Sequence, residues 1–97
     1  MLERSNALDL VSARLTEMSP AEDKWVVVDE STIEKPYGWI FFYNSRKFVE
    51  TRQAIYRLAG NGPVIVNKIT GSVRFFGSTP SVEQIIEAYE REMTETN

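Results

Sequence analysis

Gly38-Trp39-Ile40-Phe41-Phe42-Tyr43-Asn44 is a strand-like run with large apolar side chains on both alternating faces. Trp39, Phe41 and Tyr43 share one face; Ile40 and Phe42 share the other. The second face ends in Asn44, so Trp39, Phe41 and Tyr43 read as the core set. Downstream, Val64-Ile65-Val66 is a β-branched run that follows a corner, Gly60-Asn61-Gly62-Pro63. Upstream, Trp25-Val26-Val27-Val28 begins a strand expected to extend to about Ile33. Glu34-Lys35-Pro36-Tyr37-Gly38 reads as a turn, with Pro fixing φ and Gly freeing it. Residues 24–44 are therefore expected to form a β-hairpin. Val73-Arg74-Phe75-Phe76 supplies a fourth strand, joined to 64–66 through Ile69-Thr70-Gly71, with Gly71 at the left-handed position.

Helical periodicity flanks the strands. Leu8, Val11, Leu15 and Met18, with Ala7 alongside, place a helix near 6–18, capped by Ser5 or Asn6 and ended by Ser19-Pro20. Val82, Ile85, Ile86, Tyr89 and Met93 place another near 80–93. Its start is signalled twice, by Thr79 before Pro80 and by Ser81 three residues before Gln84. A short helix is expected near 51–58, stopped by the glycine corner, which also aims the strand at 64–66 into the sheet. The expected fold is α+β: a four-stranded antiparallel sheet of two hairpins, with the N- and C-terminal helices packed on one face and a short middle helix. The 97 residues read as a single domain.

Composition narrows the function. Hydrophobic residues make up 42% and charged residues 26%, the balance of a globular chain rather than a disordered one. No apolar run approaches the ~20 residues that span a bilayer, and Met1 to Leu10 lacks the apolar stretch of a secretory signal. There is no Cys and no His. That removes disulfides, thiolate chemistry and the commonest zinc ligands, and fits a reducing cytoplasm. Asp29, Glu30 and Glu34 are the only carboxylates that resemble a catalytic pair. On a strand Asp29 and Glu30 point to opposite faces, so they do not converge. Gly60-Asn61-Gly62 lacks the Lys-Ser/Thr of a phosphate loop and precedes a strand rather than a helix. No enzyme chemistry, cofactor or metal is expected.

Charge is unevenly placed. Residues 1–34 hold three basic and eight acidic side chains, residues 35–74 seven and one, and residues 75–97 one and five. A basic middle is one mark of a nucleic-acid surface. The reading preferred here is a solvated face on which Arg46, Lys47, Arg52 and Arg57 pair with the acidic ends, and no nucleic acid is expected as a partner.

The Gly38-Trp39 aromatic run, Gly60-Asn61-Gly62-Pro63, Val66-Asn67-Lys68, Thr70-Gly71 and the late Tyr89-Glu90 together resemble the immunity protein 35 family, also called YrhB-like domains, over roughly residues 25–90. Relatives commonly carry Asp at the position of Asn67, which bears on a local turn contact. They tend to have Thr-Gly-Asp where this chain has Thr51-Arg52-Gln53, which makes 51–58 here more helical. The resemblance implies an α+β domain that acts in the cytoplasm; a monomer or weak homodimer is expected. It would bind and neutralise a cognate polymorphic toxin, a peptidase or another enzyme, by occluding its active site. The alternative it implies is a solitary chaperone-like or housekeeping protein with no toxin. No catalytic residue carries over; Trp39, Gly60, Asn61, Gly62, Pro63 and Gly71 look structural.

A sheet covered on one face leaves the other to a partner. Contacts are therefore expected on the hairpin: Ile40 and Phe42 as apolar anchors, with Asp29, Glu30, Glu34, Tyr37 and Asn44 around them. The competing expectation puts Phe42 under a helix and gives the contacts to the segment around Arg46, Arg52 and Arg57.

Overall fold

Helix α1 (Arg4–Met18) opens the chain, followed by β1 (Trp25–Val27), a 3-10 turn (Asp29–Ser31), β2 (Ile33–Lys35), β3 (Gly38–Phe41), β4 (Tyr43–Ser45) and helix α2 (Arg46–Thr51). A second 3-10 turn (Ala54–Tyr56), β5 (Asn61–Asn67), β6 (Val73–Gly77) and helix α3 (Val82–Glu95) complete it. These elements come from a computed structural model that describes residues 1–95. The architecture is the expected α+β, with antiparallel pairing throughout, a helix near each end and a short one in the middle.

The strand pairing is more divided than the two-hairpin reading. One sheet has the order β2-β3-β5-β6; β1 and β4 form a separate two-stranded ladder. The hairpin over residues 24–44 is thus present in two pieces. Val27 pairs with Tyr43 in one piece and Ile33 with Ile40 in the other. Between them, Asp29-Glu30-Ser31 are poor strand formers and close a turn instead, with the Ser31 amide donating to the Val28 carbonyl at 3.0 Å. Opposite that turn Phe42 belongs to neither ladder, and its carbonyl accepts from the Val28 amide at 2.8 Å.

The helices do not share a face of the sheet, as the sequence reading expected. Ala7, Val11 and Leu15 of α1 bury against Trp39, Phe41, Tyr43, Val64 and Val66. Ile85 and Tyr89 of α3 bury against Ile40 and Ile65 on the opposite face. The reason is legible in the strands: β3 and β5 are apolar at both parities, so a sheet covered on one side would leave Ile40 and Ile65 in water. Both are fully buried.

Caps and turns set the element ends. Residue 5 and residue 6 lie inside the first turn of α1 rather than before it, and Asn6 Oδ1 accepts from the Glu3 amide at 3.1 Å. At α3 the Ser81 start prevails over the Thr79 one: Ser81 Oγ accepts from the Gln84 amide at 3.3 Å, and Gln84 Oε1 accepts from the Ser81 amide at 3.1 Å. The middle helix lies over 46–51 rather than 51–58, because Ser45 Oγ accepts from the Phe48 amide at 3.2 Å and caps it there. The glycine corner therefore ends no helix; β5 already begins at Asn61. Gly60 (φ +80°) and Gly71 (φ +77°) take the left-handed conformation expected of such positions. Gly62 is required by close approach instead, since a Cβ there would lie 1.8 Å from the Gly77 carbonyl oxygen of β6. The buried Pro63 sits where the β5–β6 register is irregular, between Asn61 and Val64, a place that tolerates a missing amide donor.

Two-sided burial has a measurable consequence. Trp39→Ala, on the α1 face, should cost about 3–5 kcal/mol, and Ile65→Ala, on the α3 face, about 2–5 kcal/mol. Urea denaturation of the two variants checks it. A large loss from only one of them would mean that one face of the sheet is not core.

Candidate functional site

The residues expected to form one contact patch are distributed over three places. Ile40 is fully buried beneath α3, so it cannot anchor a partner. Tyr37 and Glu34 sit at the far end of the hairpin. There the Tyr37 hydroxyl donates to Glu90 Oε2 at 2.9 Å, its ring lies 5.4 Å from that of Tyr89, and Lys35 Nζ meets the same Glu90 oxygen at 3.3 Å. Burial, reinforced by the hydrogen bond to Glu90, pushes the Tyr37 phenol well above its ordinary range. Tyr37 thus fastens the hairpin to α3. Asp29 and Glu30 are exposed, and Arg4 donates to Asp29 Oδ1 at 2.9 Å. That hydrogen bond holds the Asp29 carboxyl below the usual range.

Phe42 and Asn44 remain, and the structure places both in a groove of about 520 Å³. The groove exists because the chain leaves the β1–β4 ladder after β4 and enters the four-stranded sheet only at β5. Ser45 turns the chain into α2; its hydroxyl bonds Asp23, whose other oxygen accepts from the Lys47 amide at 3.4 Å. Asn44 Oδ1 accepts from the Leu58 amide at 3.0 Å and pins the returning segment. Asn61 Nδ2 donates to the Tyr43 carbonyl at 2.8 Å and closes the gap between β4 and β5. Phe48, Arg52, Arg57 and Leu58 line the excursion's side of the groove; Val28, Ser31, Phe42, Ser78 and Val82 also border it, and Tyr43, Gly62 and Pro63 contribute to its lining.

Residues 51–57 of that excursion are exposed throughout, Ile55 at 83% of its surface. Arg52 is in the left-handed region at φ +60°, unlike every other non-glycine residue described. It caps α2 through its amide, which donates to the Phe48 carbonyl at 2.7 Å, and its guanidinium lies 5.8 Å from the Phe48 ring centre. The Thr51-Arg52-Gln53 segment is therefore not more helical than a glycine-containing turn; Arg52 occupies the conformation a glycine favours. Asn67 similarly retains the turn contact, its Oδ1 accepting from the Ile69 and Thr70 amides at 2.9 and 3.0 Å.

The basic segment does not pair with the acidic ends, as its sequence suggested. Among the described residues, Arg46, Lys47, Arg52 and Arg57 make no ion pair; the four pairs present use Arg4, Lys35, Arg74 and Arg91. Arg52 and Arg57 flank the Ala54–Tyr56 turn and both line the groove. The described lining residues include no carboxylate, so no carboxylate base faces Ser31 or Ser78. Apolar side chains beside two guanidiniums that make no ion pair suit an anionic, partly apolar surface. The sequence signal for the arginines was their isolation from acidic residues within 46–58, where Glu50 is the one acidic side chain.

This arrangement is an α+β scaffold bearing a surface groove lined by apolar and basic side chains. The profile of the family described as Immunity protein 35 matches residues 5–91, and the chain belongs to that family. Among curated proteins it is similar to "Uncharacterized protein YrhB" of Escherichia coli (strain K12), at 38% identity over 53 residues. The match covers 55% of this chain and 56% of that protein, so it spans just over half of the relative's length. No solved structure matches the chain. Among the described residues no helix is long and apolar enough to cross a membrane, and no cluster of side chains suits a metal ion.

The left-handed Arg52 gives a test of the groove wall. Arg52→Gly should relieve a strain of about 1–2 kcal/mol, offset by about 0.5–1 kcal/mol of added unfolded-state freedom. The urea midpoint should therefore stay unchanged or rise. A clear fall would show that the arginine side chain stabilises the fold.

Proposed function

We propose that this chain is an immunity protein that binds a cognate bacterial polymorphic toxin in the cytoplasm and neutralises it by covering its active site. The observation that carries this reading is the family match over residues 5–91, nine-tenths of the chain. The groove supports it: Phe42, Phe48 and Leu58 supply apolar surface at one place, and Arg52 and Arg57 supply charge free for a partner. Stable complexes bury roughly 800 Å² per side, so a partner seated there must also extend over the exposed 51–57 segment and its surroundings. Glu30 and the Arg4-paired Asp29 stand near the groove on the Val28–Ser31 side, where they select against partners whose acidic surface extends that way. Occlusion requires no chemistry from the immunity protein itself.

The test is co-expression with the toxin encoded beside this gene. Cells carrying the pair should survive toxin induction, and the two proteins should co-elute as a single stoichiometric complex. Absence of protection, with capture of many unfolded proteins instead of one partner, would contradict the proposal and favour the chaperone-like alternative.

A further inference from the structure

We infer that the groove between Phe42 and the 52–58 excursion recognises an acidic, apolar loop of the partner, with a carboxylate received jointly by Arg52 and Arg57. This rests on the immunity reading for the partner's identity and on geometry for its chemistry. Both arginines line the groove, one on each side of the Ala54–Tyr56 turn, and both are exposed and without an ion pair among the described residues. Guanidinium forks match carboxylates two bonds at a time, which selects Arg over Lys for this task.

The backbone favours the same reading. Arg52 extends its side chain from a left-handed position that disfavours every residue with a Cβ except at a functional or structural need. Its backbone bond there, the amide to the Phe48 carbonyl, would be made equally by glycine, and its guanidinium rests on the Phe48 ring, 5.8 Å from the ring centre. Among the described residues no ion pair takes up that guanidinium, so it can meet an anion at the groove.

Charge complementarity and volume then select the occupant. The chain carries a net charge of -3, yet the charged side chains that line the groove, Arg52 and Arg57, are both positive. An acidic partner surface is repelled from the acidic ends and attracted here. The opening of about 520 Å³ is roomy enough to take a large apolar side chain of a partner loop. Phe42, Phe48 and Leu58 give that side chain a dry contact beside the carboxylate. A nucleic acid would instead require a run of phosphate contacts along a basic track, whereas two arginines at an apolar groove suit a single carboxylate.

Two measurements test this separately from the immunity reading. The first titrates the isotope-labelled protein with a short synthetic peptide of aspartate and glutamate around one tryptophan, following amide resonances. Shifts should concentrate at Phe42, Phe48, Leu58 and Gly62, and binding should weaken about tenfold or more in the Arg52→Gly, Arg57→Gln double variant, the loss of a charged hydrogen bond. Equal binding of the same peptide with its carboxylates replaced by amides would overturn the inference. So would shifts centred elsewhere, tighter binding of a single-stranded oligonucleotide at the same amides, or groove shifts that come only from dilution of the protein itself.

The second measurement is toxin protection by the double variant, whose fold is checked by its amide spectrum. Loss of protection with a native spectrum supports the inference. Full protection by the variant, beside protection by the parent, overturns it while leaving the immunity reading intact. If the parent itself fails to protect, the immunity reading falls, and the peptide titration alone decides the chemistry of the groove.

Discussion

The pairing of β3 with β5, two strands that are apolar on both faces, is the constraint on which the rest of the structure depends. Trp39 opposes Val66, Ile40 opposes Ile65 and Phe41 opposes Val64, so each cross-strand pair presents a contiguous apolar surface to one side of the sheet or the other. Both sides must be covered, and the chain has one long helix for each. The Ala7-Val11-Leu15 line of α1 closes over Trp39 and Phe41, and Ile85 and Tyr89 of α3 close over Ile40 and Ile65. Lateral ties then fix the order of the layers. The Leu2 amide donates to the Lys68 carbonyl at 2.9 Å, and Asn67 Nδ2 reaches the Tyr89 hydroxyl at 3.5 Å. Together they tie the start of the chain and α3 to the β5–β6 turn.

A strand pair buried on both faces leaves little of the sheet for a partner. The groove lies instead where the chain passes from the β1–β4 ladder to the four-stranded sheet, between β4 and β5. Here the interactions change in kind. The core is held by area removed from water, whereas the excursion is held by a few directional bonds from Ser45, Asn44, Asn61 and the Arg52 amide. Residues 51–57 are exposed, although Tyr56 keeps only 37% of its surface in water, so most of the segment is free of packing demands and open to selection for contact. The same separation explains why a left-handed arginine is tolerated: its strain is borne by a segment that contributes little to stability.

Much of this was legible in the residues. The alternating apolar run at 39–43, the β-branched run at 64–66 and the helical stripes around Val11 and Tyr89 each named their element, because burial leaves a period in the sequence. The face on which each helix packs was inferable from the same run: Ile40 and Ile65 demanded cover that a one-sided sheet does not give. Placing Ile40 on a binding surface overlooked that demand. The division of the hairpin was harder to see, since it depends on a three-residue turn at Asp29–Ser31 whose only signal is its polarity. The groove was half visible. Phe42 and Asn44 stood on the hairpin and Arg52 and Arg57 on the basic segment, and they were read as rival surfaces. The Leu58 amide bond to Asn44 joins them, and a contact between side chain and distant backbone has no sequence periodicity to announce it.

The most direct test of a rigid two-faced core with the proposed recognition on its excursion is hydrogen exchange of the protein alone and in complex with the proposed toxin. In the free protein, amides at 39–41 and 64–66 should exchange only through global unfolding, and those at 52–58 far faster through local opening. On complex formation the protection gained should fall at 42–44 and 52–58. Protection gained on the outer faces of α1 or α3, with 52–58 unchanged, would contradict the account.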